Sequence, residues 1–161
     1  MALGKAIAEH IEDPGTRPKT LSLLPGTNLI GTSARYFHQK SGLDYHYMLA
    51  DKNILGLSEK TNVLLAQFKT PARATGKDTP KAQALLVEYP TVRDAAKAYA
   101  VFMKAYLHDA KGDAAVKTEN GKFAAARQKA QYVLAVFDAP DPGYAGALIN
   151  AITGKIEVKP K

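Results

Sequence analysis

The segment Gln131 to Asp138 is apolar on both faces of a predicted β-strand. Its two sets of alternate residues are all hydrophobic or aromatic: Val133, Ala135 and Phe137, and Tyr132, Leu134 and Val136. A strand with one solvated face would instead alternate apolar and polar residues. We therefore expect this strand to lie in a sheet that is covered on both sides.

Other strands are predicted on either side of a long helical pattern. The apolar runs Val63–Phe68 and Ala84–Tyr89 are separated by a Pro-, Gly- and Lys-containing loop, which predicts neighbouring antiparallel strands. Asn120-Gly121 favours a two-residue type I′ turn between strands at 116–119 and 122–127. A shorter strand is expected at 32–38, and one short helix is expected within residues 41–60.

Two main helices are predicted, over residues 92–109 and 142–153. Thr91 and Asp94 have the spacing of a capping box at the start of the first helix. Asp141 followed by proline is typical of the start of the second helix. Gly154 is expected to end it in a left-handed conformation, and His108 is expected in the last turn of the first helix.

The order strand, strand, helix, strands, helix predicts an α+β fold. We expect an antiparallel sheet of about five or six strands with the helices 92–109 and 142–153 packed on it. The chain has 161 residues, which is enough for one core. The predicted organisation is an N-terminal arm at 1–19, a single domain at 20–154 and a loose C-terminal tail at 155–161.

The composition excludes several kinds of chemistry. Cysteine is absent, which excludes disulfides, thiolate metal sites, iron–sulfur ligation and a cysteine nucleophile. No dinucleotide fingerprint, Walker loop or nucleophile elbow is present, so no cofactor is implied. This chain also shows neither the apolar run of a secretory signal nor one long enough to cross a membrane.

One cluster contains catalytic residue types. Tyr36, His38, Asp44 and His46 lie within a short segment and could support acid–base or nucleophilic chemistry. Their spacing matches no zinc-binding pattern, so no metal is predicted. The structural alternative is that the tyrosines here, including Tyr47, pack at the sheet edge while the histidines make hydrogen bonds or face water.

Two further groups have structural interpretations. Asp138 and Asp141 flank Pro140 and could form an acid–base pair, but turn and cap roles account for them. Tyr106 and its aromatic neighbours on the first helix have the spacing of an ordinary core stripe rather than a cofactor box.

The net charge of +7 suggests an anionic ligand as one class of partner. The densest basic group is Lys69, Arg73, Lys77 and Lys81 in the loop between the first two long strands. A solvated loop would have the same composition. No nucleic-acid-binding signature accompanies the charge, so nucleic acid is not the predicted partner.

Several short motifs together resemble one family. They are Leu23-Leu24-Pro25, Ser33-Ala34-Arg35-Tyr36-Phe37-His38, Asn53-Ile54-Leu55-Gly56-Leu57-Ser58, Leu86-Val87-Glu88-Tyr89-Pro90 and Val136-Phe137-Asp138-Ala139. Over residues 20–154 the chain resembles the bacterial domain family of unknown function numbered 6599. The resemblance implies a setting in exported or lipoprotein-type proteins and supplies no catalytic residues.

The sequence leaves three functional hypotheses. The first is a non-enzymatic binding or scaffolding module of a bacterial protein, in the cell envelope if the resemblance holds, with a protein or anionic partner. The second is an anionic-ligand binder that uses Lys69, Arg73, Lys77 and Lys81. The third is an enzyme built on Tyr36, His38, Asp44 and His46.

Overall fold

A computed structural model describes residues 15–71 and 80–158. The helices are α1 (Lys40–His46), α2 (Val92–Tyr106) and α3 (Pro142–Thr153). The strands are β1 (Arg35–Phe37), β2 (Asn62–Lys69), β3 (Lys81–Glu88), β4 (Val116–Lys117), β5 (Phe123–Lys129) and β6 (Tyr132–Ala139). They form one six-stranded antiparallel sheet in the order β1-β2-β3-β6-β5-β4. The predicted α+β fold is therefore confirmed.

Strand β6 lies between β3 and β5, as its two apolar faces require. Val133 and Phe137 face a core that includes Phe102 of α2. Leu134 and Val136 face a second core, formed with α3 and the N-terminal segment. The sheet is thus covered on both sides, and burial of each large apolar side chain stabilises the fold by about 1.5–3 kcal/mol.

Both predicted helix starts are confirmed. The Thr91 hydroxyl accepts a hydrogen bond from the Asp94 amide at 3.1 Å. The Asp141 carboxylate accepts one from the Tyr144 amide at 2.8 Å, with Pro142 at the first position of the helix. Each side chain satisfies an amide that has no partner within its own helix.

Helix α3 ends at Thr153 as predicted, whereas the end of α2 and the conformation of Gly154 need correction. Helix α2 ends at Tyr106 rather than at 109, because Leu107 leaves the helical conformation and is buried in the core. His108 therefore lies beyond the helix. Gly154 has a right-handed conformation (φ −61°, ψ −25°) instead of a left-handed one. The Lys155 and Ile156 amides then donate to the Ile152 and Thr153 carbonyls, and Ile156 is buried.

The turn between β4 and β5 also differs from the prediction. A type I′ turn requires positive φ at both central residues, whereas Gly121 has φ +77° and Asn120 does not have a positive φ. The Gly121 amide donates to the Thr118 carbonyl at 2.9 Å, and the Thr118 amide donates to the Lys122 carbonyl at 2.8 Å. The strands are therefore joined by a longer turn.

The ends of the chain fall partly outside the described residues. Residues 1–14 of the expected arm, residues 72–79 of the basic loop and residues 159–161 of the expected tail are among those not described. The Lys155 ammonium group donates to the Leu24 carbonyl at 2.8 Å, so ordered packing continues past residue 154. Within the described ranges, no helix has the length and hydropathy needed to cross a bilayer.

Candidate functional site

A β-bulge interrupts the end of β6. Between two register pairs, β5 contributes one residue, Ala124, and β6 contributes two, Phe137 and Asp138. Asp138 has φ +57°, a left-handed conformation that Asp and Asn adopt more readily than most residues. The bulge reverses the alternation of the strand, because Phe137 packs on the α2 side whereas Ala139 packs on the α3 side. Asp138 therefore lines the same groove as Phe137.

This groove, which we call the hairpin groove, has a volume of about 570 Å³. It lies between the C-terminal end of α2, the β4–β5 hairpin and the bulge of β6. The lining residues are Tyr47, Tyr106, His108, Asp109, Val116, Lys117, Thr118, Glu119, Asn120, Ala124, Phe137 and Asp138. With Tyr47, which follows α1, four separate segments of the chain contribute to its lining.

Aromatic rings form one wall of the hairpin groove. Phe137 stacks on Tyr47 with ring centroids 5.0 Å apart. Tyr106 meets Phe137 edge to face at 5.5 Å and stacks on Phe102 at the same distance. Such pairs fix ring orientation beyond what burial alone provides. Tyr47 and Tyr106 are half-buried, so part of each ring remains accessible from the groove.

The Asp138 carboxylate is held by the turn that carries Asn120. The Asn120 amide group donates to one Asp138 carboxylate oxygen at 2.9 Å. The Asn120 carbonyl oxygen accepts from the Thr118 hydroxyl at 2.6 Å and from the Lys122 amide at 3.0 Å. These two bonds orient the Asn120 side chain so that its NH₂ group points at Asp138.

The tyrosine hydroxyls in the groove remain protonated at physiological pH. Burial raises the pKa of Tyr47 above its usual range, and the neighbouring Tyr106 and Asp138 side chains raise it further by charge and hydrogen bonding. Burial also raises the pKa of Tyr106. Both hydroxyls are therefore suited to hydrogen bonding rather than to proton abstraction.

The charges that line the hairpin groove are mostly negative. Asp109, Glu119 and Asp138 contribute three carboxylates, whereas Lys117 is the one lysine in the lining. His108 lies 3.3 Å from Asp109, and both of these side chains are exposed. The groove is thus locally acidic in a chain of net charge +7.

Two other grooves present less developed chemistry. One of about 460 Å³ lies over Tyr89, between Asn53 and Asp94. Two of its polar side chains already have structural partners: Tyr89 donates to the Leu55 carbonyl at 2.6 Å, and Asp94 accepts from the Thr91 hydroxyl at 2.7 Å. A second of about 580 Å³ lies along residues 39–41 and 57–60 and is shallow.

The structure brings only two of the four candidate catalytic residues together. The rings of Tyr36 and His38 meet edge to face, with centroids 5.2 Å apart. The Tyr36 hydroxyl donates to the Asn62 side chain at 2.8 Å. The His38 Nδ1–H donates to the Thr61 carbonyl at 2.6 Å. This hydrogen bond fixes the orientation of the imidazole ring.

Asp44 and His46 interact elsewhere. Asp44 forms an ion pair with Lys40, one turn earlier on α1, at 2.6 Å. His46 contacts the rings of Phe37 and Tyr45, with centroids 6.2 and 4.9 Å away. Neither residue lines the hairpin groove. Over residues 15–71 and 80–158, no group of three His, Asp or Glu side chains could hold a metal ion.

The described part of the basic loop consists of its two ends. Lys69 and Lys81 face each other as register partners on β2 and β3, and both are exposed. Arg73 and Lys77 lie outside the described residues. Like charges directly opposite on neighbouring strands destabilise the pair, which an anion between the two ammonium groups would relieve.

The residues that build the hairpin groove carry structural roles in the sequence-based predictions. The sequence predicts a turn role for Asp138, an ordinary core position for Tyr106 and the sheet edge for Tyr47. One signal was available, because Asp138 is an acid within an otherwise apolar strand and Asp is rare in strands. The bulge itself has no sequence signature that would place Asp138 on the α2 side.

Comparison with known proteins adds no relative. No protein-family model, curated protein or solved structure matches the chain. The resemblance to the family numbered 6599 therefore stays a prediction.

Proposed function

We propose that this protein is a non-enzymatic binding module and that the hairpin groove receives its ligand. The observation that carries the proposal is the β6 bulge. It places the Asp138 carboxylate in the lining of an aromatic-walled groove of about 570 Å³. Ligand sites are typically concave, mostly apolar and fitted with a few fixed polar groups. On the resemblance to family 6599, we further propose that binding takes place in the bacterial cell envelope.

The polar groups of the groove support binding rather than catalysis. Asn120 fixes the Asp138 carboxylate before any ligand arrives, which lowers the entropic cost of binding. The raised pKa of Tyr47 keeps its hydroxyl neutral, so it can orient a ligand but is a poor general base. His38 belongs to the candidate catalytic cluster, but its Nδ1–H already donates to the Thr61 carbonyl.

The proposal can be tested by a fragment screen with ¹⁵N-resolved NMR of the full chain. Mixtures of cationic, neutral and anionic fragments are titrated against the protein, and the amide shifts are mapped on the structure. We expect the largest shifts at the hairpin groove, at the amides of Tyr47, Asn120 and Asp138. Fragments that shift only amides elsewhere, or none at all, would overturn the proposed site, and turnover of a bound fragment would overturn its non-enzymatic character.

A second candidate function is an anionic-ligand binder at the basic loop. The cross-strand pair Lys69 and Lys81 favours it, because neither ammonium group has an acidic partner among the described residues. Affinity for heparin or duplex DNA should then fall steeply with salt concentration. A Lys69→Ser, Lys81→Ser double variant should lose that salt-dependent affinity, and a flat or absent binding curve for the unchanged protein would remove this candidate.

A further inference from the structure

We propose that the ligand of the hairpin groove is a small organic cation with an ammonium group, which binds between the Asp138 carboxylate and the rings of Tyr47 and Tyr106. This inference rests on the proposed binding function of the groove. It adds the chemical class of the ligand, which the volume and position of the groove do not specify.

Asp138 has no cationic partner among residues 15–71 and 80–158. Its carboxylate is half-buried, and its hydrogen-bond partners are neutral donors: the Asn120 amide group at 2.9 Å and the Tyr47 hydroxyl. The ion pairs among the described residues involve Asp44, Asp109 and Asp113, and none involves Asp138. Carboxylates withdrawn from water are usually paired with a cation, so this one favours a cation from outside.

An aromatic wall lies beside that carboxylate. The faces of aromatic rings carry negative electrostatic potential and attract a cation within about 6 Å of the ring centre. Tyr47 and Tyr106 line the groove with half-buried rings, and their orientation is fixed by contact with Phe137. Rings together with a carboxylate form the type of site that binds ammonium groups in aromatic cages.

The local charge of the groove also favours a cation. Asp109 and Glu119 add two exposed carboxylates, whereas Lys117 and His108 are the opposing groups in the lining. An anion would have to approach these carboxylates, which makes it the less favourable ligand despite the net charge of +7. The charge near the groove would instead attract a cation and raise its local concentration.

Choline and 3,3-dimethylbutan-1-ol provide a direct test, because the alcohol has the same shape with carbon in place of the charged nitrogen. Both are titrated by ¹⁵N-resolved NMR into the full chain. We expect choline to shift the amides of Asn120 and Asp138 and to bind about tenfold more tightly than the alcohol, as a favourable contact of one positive charge with these groups implies.

Asp138→Asn is the decisive variant. Asn also adopts the left-handed conformation, so the bulge should survive, while the charge is lost. The exposed Asp51, which lies outside the groove, provides a matched control, because Asp51→Asn removes the same charge from the chain. We expect Asp138→Asn to abolish the preference for choline and Asp51→Asn to preserve it.

The outcomes separate this inference from the proposed function. If both compounds bind in the groove with equal affinity, or if neutral or anionic fragments bind there and choline does not, the cation inference is wrong and the binding function stands. If no fragment of any charge binds in the groove, both are wrong. If Asp138→Asn keeps the preference for choline, the carboxylate does not recognise the charge and the inference is overturned.

Discussion

The amide group of Asn120 lies 2.9 Å from the carboxylate of Asp138, and this bond joins the β4–β5 turn to the bulge of β6. The donor is on an exposed turn, and the acceptor is on a strand whose backbone adopts a left-handed conformation. The turn therefore controls the orientation of the one half-buried charged group in the lining of the hairpin groove. Changes at Asn120 should act at Asp138.

Asn120→Asp tests this control with almost no change of shape. The new carboxylate can still accept from Thr118 and Lys122, but it faces Asp138 with a negative charge instead of a donor. We expect the free energy of unfolding at neutral pH to fall by about 1 kcal/mol and the loss to shrink in acid, where protonation of one carboxyl removes the repulsion. Urea denaturation at both pH values measures it.

Asn120→Ala is the matched control for that experiment. It removes the donor without adding a charge, so its effect on stability should depend much less on pH. Equal pH dependence of the two variants would contradict a direct Asn120–Asp138 contact.

Because Asp138 lies in a bulge with positive φ, we expect Val and Gly at this position to differ in their effect on stability. A β-branched residue in the left-handed region is strained by about 1–2 kcal/mol, so Asp138→Val should lower the urea midpoint of unfolding. Asp138→Gly meets no such strain at φ +57° and should be clearly more stable than the Val variant. If Val were the more stable of the two, Asp138 would have to lie in ordinary extended strand.

The arrangement of the sheet could be predicted because it depends on periodicity. The two apolar faces of β6 indicated a covered central strand, and Thr91 and Asp141 marked the starts of α2 and α3. These signals are local, since each is set by the residues of one segment and their nearest amides.

The hairpin groove could not be predicted, because it depends on relationships between segments. Tyr47 follows a short helix, Tyr106 ends a long one and Asp138 lies in a strand. The bulge depends on how β5 and β6 fit together, which neither strand encodes alone. Only the folded sheet brings these three side chains to one place.

Ionisation of Tyr132 should lower the stability of the protein at alkaline pH. Burial, together with the hydrogen bond to Glu88 and the charge of that residue, raises the pKa of Tyr132 to about 12, and the hydroxyl lies 2.9 Å from the Glu88 carboxylate. The ordinary pKa of tyrosine is about 10. The stabilisation is therefore fully present below pH 10 and is lost as the pH rises to about 12, because the unfolded chain releases the proton first.

Tyr132→Phe isolates this effect from the other tyrosines. Between pH 10 and about 12 the free energy of unfolding should fall less steeply in the variant than in the unchanged protein. Urea denaturation at several pH values in that window measures both slopes. Equal slopes of the unfolding free energy against pH in the two proteins would mean that folding does not raise the pKa of Tyr132.

Replacement of two helical glycines by alanine should change the stability in opposite directions. A methyl group at Gly42 of α1 would lie 2.8 Å from a ring carbon of Phe37, so Gly42→Ala should lose about 1–3 kcal/mol by overpacking. Nothing lies within 4 Å of the same position at Gly146 of α3, so Gly146→Ala should gain about 0.5–1 kcal/mol from its better helix propensity. Thermal denaturation of both variants distinguishes the effect of packing from that of helix propensity. Stability changes of the same sign would contradict the close approach of Phe37 to Gly42.

The hairpin between β5 and β6 contains an alanine in a conformation that favours glycine. Lys129 and Tyr132 are register partners, which leaves Ala130 and Gln131 as the two-residue turn, and Ala130 has φ +49°. Ala130→Gly should raise the free energy of unfolding by about 0.5–1 kcal/mol, because relief of left-handed strain exceeds the added entropy of the unfolded chain. The exposed Ala114, which lacks a positive φ, is the control, and Ala114→Gly should lose stability. Loss of stability in both variants in urea denaturation would show that the turn does not strain Ala130.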